Sequence, residues 1–289
     1  SLAHPHNPHS AKSVEQPWVG ILGPGSLISD SLVPRLQQTY LVVPMSRSGA
    51  DSKARTEPSS IPLWISLMPI AALPERFDML AARGARRVVA LSSTSVFTKT
   101  SSSEAAERAL ATNIATGEQR LIAWAQARGV EWLILRPTLI YGRGRDRNIS
   151  EIARFIRRFG FFPVFGTAQG LRQPVYLDDV ASACMSALEA ESLKGGSYNI
   201  SGGEALPYRE MVVRIFHALG QRPRIISTPL WSFKLAVAGV RLLPRFRDWS
   251  SAMAERMNQD LVFDHAPAAR DFGFSPRPFE LRADDLPPG

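Results

Sequence analysis

The sequence holds a single cysteine, Cys184, in 289 residues. That excludes an internal disulfide and any cysteine-based metal cluster, and it leads us to expect a reducing, cytoplasmic compartment. Long apolar runs are missing too. No stretch approaches the ~18 uninterrupted apolar residues of a spanning helix, and the first residues lack the apolar core of a signal peptide. Lysine is scarce: the 34 basic residues are 5 Lys and 29 Arg. Against 26 acidic residues they leave a net charge of +8. The arginines form no long run. Doublets such as Arg86-Arg87 and Arg157-Arg158 read as solvated helix faces. Charge alone therefore names no partner. No basic–aromatic stripe or reading motif supports nucleic acid. A hydrophobic share of 45% with 20 Gly and 22 Pro excludes collagen-like, coiled-coil and wholly disordered chains.

Residues 1–17 read as a disordered arm. His4, His6 and His9 have a spacing that could hold a metal, but no further ligand is near, and a flexible leader is the simpler reading. From Trp18 the pattern alternates. Apolar runs at Trp18–Leu22, Tyr40–Met45, Leu63–Met68, Arg86–Leu91 and Glu131–Leu135 predict strands. Helical spacing covers Leu27–Gln38, Leu73–Arg83 and Glu104–Arg128, with Gly84 and Gly129 as stops. Such alternation implies a parallel sheet covered on both faces. The second half is less regular. Helices are expected over Ile149–Phe159, Val180–Ala190 with Asp178 as cap, Tyr208–Leu219, Leu230–Leu243 and Trp249–Met257. Short strands are expected at Pro174–Leu177, Ser197–Ile200 and Arg224–Ile226.

The turn after the first strand carries the first functional signal. Gly20-Ile-Leu-Gly23-Pro-Gly25-Ser26-Leu-Ile-Ser29 lies between a strand and a helix, where a dinucleotide needs a tight turn and a helix N-terminus. In a G-x-x-G-x-x-G register it reads Gly23, Ser26, Ser29. Two serines stand where glycines are wanted. Serine is small and can cap a helix or bond a phosphate, yet it resists positive φ. An ordinary βα turn that has lost its ligand fits the same residues. The end of the second strand reads Ser46-Arg47-Ser48, with no acid before Asp51. An acid there would hold a ribose hydroxyl pair; Ser46 and Arg47 lean towards the 2′-phosphate of NADP over NAD. A solvent-exposed loop arginine is the plain alternative.

Four further motifs follow in order: Leu91-Ser-Ser-Thr94-Ser-Val-Phe97, Leu135-Arg-Pro137-Thr-Leu-Ile-Tyr141-Gly142, Gln173-Pro-Val-Tyr176-Leu-Asp-Asp179-Val and Tyr198-Asn-Ile-Ser-Gly-Gly203. Together they resemble the extended short-chain dehydrogenase/reductase superfamily, and within it the NAD-dependent epimerase/dehydratase family acting on nucleotide sugars. The resemblance runs from about residue 18 to about 280. It implies an α/β fold: a Rossmann-like doubly wound parallel sheet over 18–145 and a smaller C-terminal α/β substrate lobe over 146–289, some of whose segments return to the core sheet. It implies NADP or NAD as cofactor, held by Gly23, Gly25, Ser26, Ser29, Ser46, Arg47, Thr94 and Pro137. It also implies a catalytic Ser/Thr, matched by Thr94, and a Tyr-x-x-x-Lys whose Tyr moves a proton while the Lys lowers its pKa. Here the chain departs. Residues 100–140 contain neither Tyr nor Lys, and Leu110 and Ile114 fall at the two positions. The connection between the second strand and Leu63 is short as well, so one strand–helix unit is expected to be reduced.

On the substrate side, relatives lay a nucleotide-sugar over the segment that here holds Arg145, Arg147 and Asn148, and they place a phosphate-contacting Arg where Arg172 stands, just ahead of Tyr176. Three functions stay open: an epimerase, dehydratase or reductase with a non-standard acid/base; a non-catalytic NAD(P)-binding sensor or scaffold; and a membrane-surface protein acting on a lipid-linked substrate. The last rests on residues 230–247, where apolar side chains alternate with Lys234, Arg241, Arg245 and Arg247. The partners expected are a nucleotide-sugar-like small molecule and a second copy of the chain in a homodimer. Nucleic acid is not expected.

Overall fold

The computed structural model describes residues 15–46, 57–247 and 249–289. The histidines of the N-terminal arm, Arg47 and Asp51 lie outside them. Five strands come in the first half: β1 (Trp18–Leu22), β2 (Leu41–Met45), β3 (Leu63–Ser66), β4 (Arg87–Leu91) and β5 (Glu131–Pro137). Short strands follow: β6 (Ile140–Tyr141), β7 (Phe162–Phe165), β8 (Leu171–Arg172), β9 (Val175–Tyr176), β10 (Gly195–Ile200), β11 (Leu206–Pro207) and β12 (Ile225–Thr228). The main sheet has six strands in the order β10-β5-β4-β3-β1-β2, and every pairing in it is parallel. The chain leaves β1 for β2 on one side and places β3 on the other. The strand order therefore reverses at β1. Among the described residues β2 and β10 are the two edges, and the shortened connection to β3 adds no strand beyond β2.

Side-chain alternation explains why both faces need covering. Val19, Ile21, Ile65, Val89, Leu133 and Leu135 point to one face and pack on α1 (Ser29–Leu36) and α6 (Leu177–Glu189). Trp64, Val88, Ala90 and Ile134 point to the other and pack on α2 (Phe77–Ala82) and α4 (Ala105–Arg128). A one-residue slip would turn each set to the wrong side. Gly129 at φ +65 ends α4, as expected of a left-handed C-terminal stop. α3 is a single turn, Ser95–Thr98.

A second core gathers α5 (Ile149–Phe159), α7 (Tyr208–Ala218), α8 (Leu230–Val240) and α9 (Ser251–Arg256) around β7 and β12. β7 and β12 are parallel, whereas β8 and β11 are antiparallel. Between these pieces α6 and β10 return to the main sheet. A last helix, α10 (Ala266–Phe272), packs near β10.

Three local expectations change. Leu73–Arg83 is not one helix: a 3₁₀ segment over Ile70–Arg76, with Pro74 inside it, precedes α2. α6 starts at Leu177, so Asp178 sits in its first turn and does not cap it. Arg87 is not solvated. It is 3% exposed and donates to the carbonyls of Ala187, Ala190 and Leu193 and to Glu131. It ties β4 to the end of α6.

The tightest contact in the sheet is between β1 and β3. A Cβ on Gly20 would fall 2.3 Å from the Trp64 ring, and Trp64 is fully buried with its indole N–H on the Ile61 carbonyl at 2.7 Å. The ring cannot swing away without losing that bond. Gly20→Ala should therefore destabilise the fold by about 1–3 kcal/mol through overpacking, read as a lower urea midpoint. An unchanged midpoint would show that Trp64 yields.

Candidate functional site

The C-terminal ends of β1, β2 and β3 open onto a cleft of about 320 Å³. It is lined by Gly23–Ser26, Met45, Ser46, Leu67–Pro69 and Arg76. This is the reversal point of the strand order, where open α/β sheets leave room for a ligand. Gly23 has φ +75, and a Cβ there would lie 2.7 Å from the Met68 nitrogen. Only glycine fits both conditions. Gly25 faces open space. The Ser26 hydroxyl accepts from the Ile28 N–H at 3.3 Å and so shapes the turn. Ser29 is buried at the first turn of α1. Arg76 reaches from the 3₁₀ segment to donate to the Ser46 carbonyl at 3.4 Å. Sequence reasoning missed Arg76, because nothing local ties it to a strand end 30 residues away; the packing of Ile70–Arg76 on α4 brings it there. Gly117 permits that packing, since its Cβ would meet the Ile70 carbonyl oxygen at 2.6 Å.

Thr94 follows β4 on the same edge of the sheet. It is 7% exposed, and its Oγ1 donates to the Pro137 carbonyl at 3.3 Å. Its backbone N–H goes to the same oxygen at 3.2 Å. Pro137 thus anchors Thr94. Below them Arg136 forms a two-pronged pair with Glu118, 2.9 Å and 2.6 Å, and Ser92 donates to the same carboxylate. The Arg136 guanidinium also lies over Phe97, 5.0 Å from the ring centroid. On α4, Ile114 is buried and Leu110 is exposed. Neither carries a proton. Lys99 pairs with Glu107 at 3.7 Å.

The substrate candidates do not converge. Arg145 pairs with Asp30 in the first turn of α1, and Arg147 is exposed. Asn148 donates from its backbone to Asp146 at 2.9 Å. That carboxylate, 5% exposed, also takes the backbone and hydroxyl of Ser150. The α5 N-terminus therefore carries its own anion, a partner the sequence reading overlooked. Arg172 is turned inward. It donates to the carbonyls of Leu171, Gln259 and Arg256 at 2.7–2.9 Å, and burial pushes its guanidinium down to about 10. Tyr176 donates to Asp285 at 3.0 Å. Burial and that carboxylate push its phenol up to about 12, which makes it a poor acid/base near neutrality. Asp179 holds Arg277 through two bonds of 3.1 Å.

A doubly wound parallel sheet with a glycine turn at its reversal point defines a Rossmann-like dinucleotide-binding fold. Residues 76–201 match the NAD dependent epimerase/dehydratase family. It is 30% identical over 174 residues to the 2-alkyl-3-oxoalkanoate reductase of Stenotrophomonas maltophilia, covering 56% of this chain and 52% of that protein. The chain thus spans about half the length of this curated relative. A UDP-galactose 4-epimerase structure superposes with a TM-score of 0.64 at 14% identity, over 92% of this chain and 95% of that one. MoeE5 in complex with UDP-glucose and NAD gives 0.57 at 21% identity, over 73% and 85%. At such identities these structures share the fold.

The cleft fits the phosphate and adenosine half of a dinucleotide: the Gly23 cradle excludes any side chain, and α1 begins directly beyond it. Leu110 and Ile114 of α4 are both apolar, and neither lines this cleft. Glu118→Ala should cost about 3–5 kcal/mol by stranding Arg136, measured by denaturation. A loss near zero would mean that water already screens the pair.

Proposed function

We propose that this chain binds NAD(P) at the β1/β3 cleft and does not carry out the Tyr-dependent proton transfer of the epimerase/dehydratase family. The observation that carries the reading is the contrast between the cleft and α4. The glycine turn keeps the geometry a pyrophosphate needs. The acid/base positions on α4 have become apolar, and Thr94 is engaged with Pro137. NADP is preferred over NAD: Arg76 and Ser46 stand at the end of β2, where the sequence also sets Arg47, and a guanidinium there suits a 2′-phosphate. Bound dinucleotide would supply hydride chemistry. The chain's own residues bind and orient it through Gly23, Gly25, Ser26, Ser29, Ser46 and Arg76. We read residues 18–145 as the cofactor lobe and 146–289 as mainly a substrate lobe.

A second reading is an active nucleotide-sugar epimerase or dehydratase with another acid/base. The fold shared with MoeE5, whose structure holds UDP-glucose and NAD, supports a nucleotide-sugar-like ligand. Against turnover stand Arg172, engaged with three carbonyls, and Tyr176, held to Asp285.

Calorimetric titration with NADP, NADPH, NAD and NADH separates the outcomes. Binding of the phosphorylated forms is expected, weakened about tenfold by Arg76→Ala and lost with Gly23→Val. No binding of any form would overturn the proposal. Conversion of UDP-glucose to UDP-galactose with NAD present, followed by chromatography, would overturn its non-catalytic half.

A further inference from the structure

The α8 helix is apolar on both sides. One side does what a core helix must: Phe233 and Val237 are buried, with Leu230 and Val240 partly so, at spacings of three and four. The opposite side repeats the spacing towards solvent. Trp231 is 68% exposed, Leu235 66%, and Leu242, in the turn just beyond the helix, 83%. Ala238 continues the stripe. An amphipathic surface helix would place polar residues there. Ile226 on β12, five residues before Trp231, is 48% exposed as well.

Cations border the stripe. Lys234, Arg241, Arg245 and Arg247 are exposed, and residues 230–247 contain no Asp or Glu. Arg241 donates to the Arg247 carbonyl at 3.1 Å, and Arg245 lies 3.9 Å from Glu151. At 11 residues α8 is about 16 Å long. No helix among the described residues is long and apolar enough to cross a membrane. An apolar stripe edged by cations and headed by a Trp matches the boundary between lipid headgroups and acyl chains. A second copy of the chain is a poorer occupant, because a two-fold contact through this stripe would bring the four cations of each copy together with no carboxylate in residues 230–247 to offset them.

We propose that α8 and the turn after it form a peripheral membrane surface. Trp231, Leu235 and Leu242 enter the acyl boundary of an anionic bilayer, while Lys234, Arg241, Arg245 and Arg247 stay at its phosphates. The surface is separate from the cleft, so the proposal stands whether or not a dinucleotide binds.

Co-sedimentation with phosphatidylcholine vesicles, with and without phosphatidylglycerol, tests it. The protein should pellet with the anionic vesicles, stay in solution with the neutral ones, and be released by salt. The variant W231S/L235S/L242S, altered only at exposed positions, should bind at least about tenfold more weakly with an unchanged circular dichroism spectrum. In the unaltered protein, bromine-labelled acyl chains should quench tryptophan fluorescence, and Trp231→Phe should remove that quenching. The proposal is overturned by failure to pellet with anionic vesicles at low salt, or by undiminished binding of a folded triple variant. It is also overturned by a dimer that the triple variant abolishes in a protein that ignores vesicles.

Discussion

The spacing between β1 and β3 governs what the rest of the molecule can do. Parallel pairing brings Gly20 over the face of Trp64. Three residues later the same approach sets Gly23 against the backbone of Met68. A side chain at either position would push the strands apart. The cleft exists because they do not separate, and because the chain moves from β1 to β2 on one side and to β3 on the other. The shape of the cleft and the packing of the sheet therefore depend on the same close approach of β1 and β3.

A second organising theme is the use of arginine inside the protein. Arg87 joins β4 to the end of α6 through carbonyls, and Arg172 braces β8 against the segment after α9. Nearer the surface, exposed Arg277 ties the C-terminal segment to Asp179, and half-buried Arg214 ties α7 to Glu204 and the Phe279 carbonyl. A planar fork with five donors can bridge several carbonyls at once, which an ammonium cannot do as well. This accounts for part of a basic composition that contains so few lysines. Other arginines are exposed along the length of the chain, and three of them, with Lys234, border α8.

The sheet was legible because short apolar runs alternating with helical spacing admit few other arrangements. The start of α5 and the stop at Gly129 were legible from local chemistry. Elements that depend on packing were not. The segment expected as one helix begins as a 3₁₀ turn over Ile70–Arg76, and α6 begins early, with Leu177 buried in the core that includes α1. At the site, Gly23 could be read from the sequence because its turn conformation is local, whereas its close approach to the Met68 backbone is tertiary. The Ser26 and Ser29 substitutions remain compatible with the turn: one hydroxyl shapes it and the other is buried in the helix start. Arg76 could not be read, because only the tertiary approach of the Ile70–Arg76 segment to β2 makes it a cleft residue. Arg172 misled for the opposite reason. Its position in the motif resembled a ligand contact, but three carbonyls hold it inside. Arg47 lies outside the described residues.

The central claim is that the β1/β3 reversal point holds a dinucleotide. Hydrogen–deuterium exchange of the full chain, with and without NADP, tests it most directly. The account predicts slower exchange confined to the Gly23–Ser31 and Leu67–Arg76 peptides, with little change across the α4 segment around Leu110. Unchanged exchange at those two peptides under saturating NADP, or protection appearing only elsewhere in the chain, would contradict it.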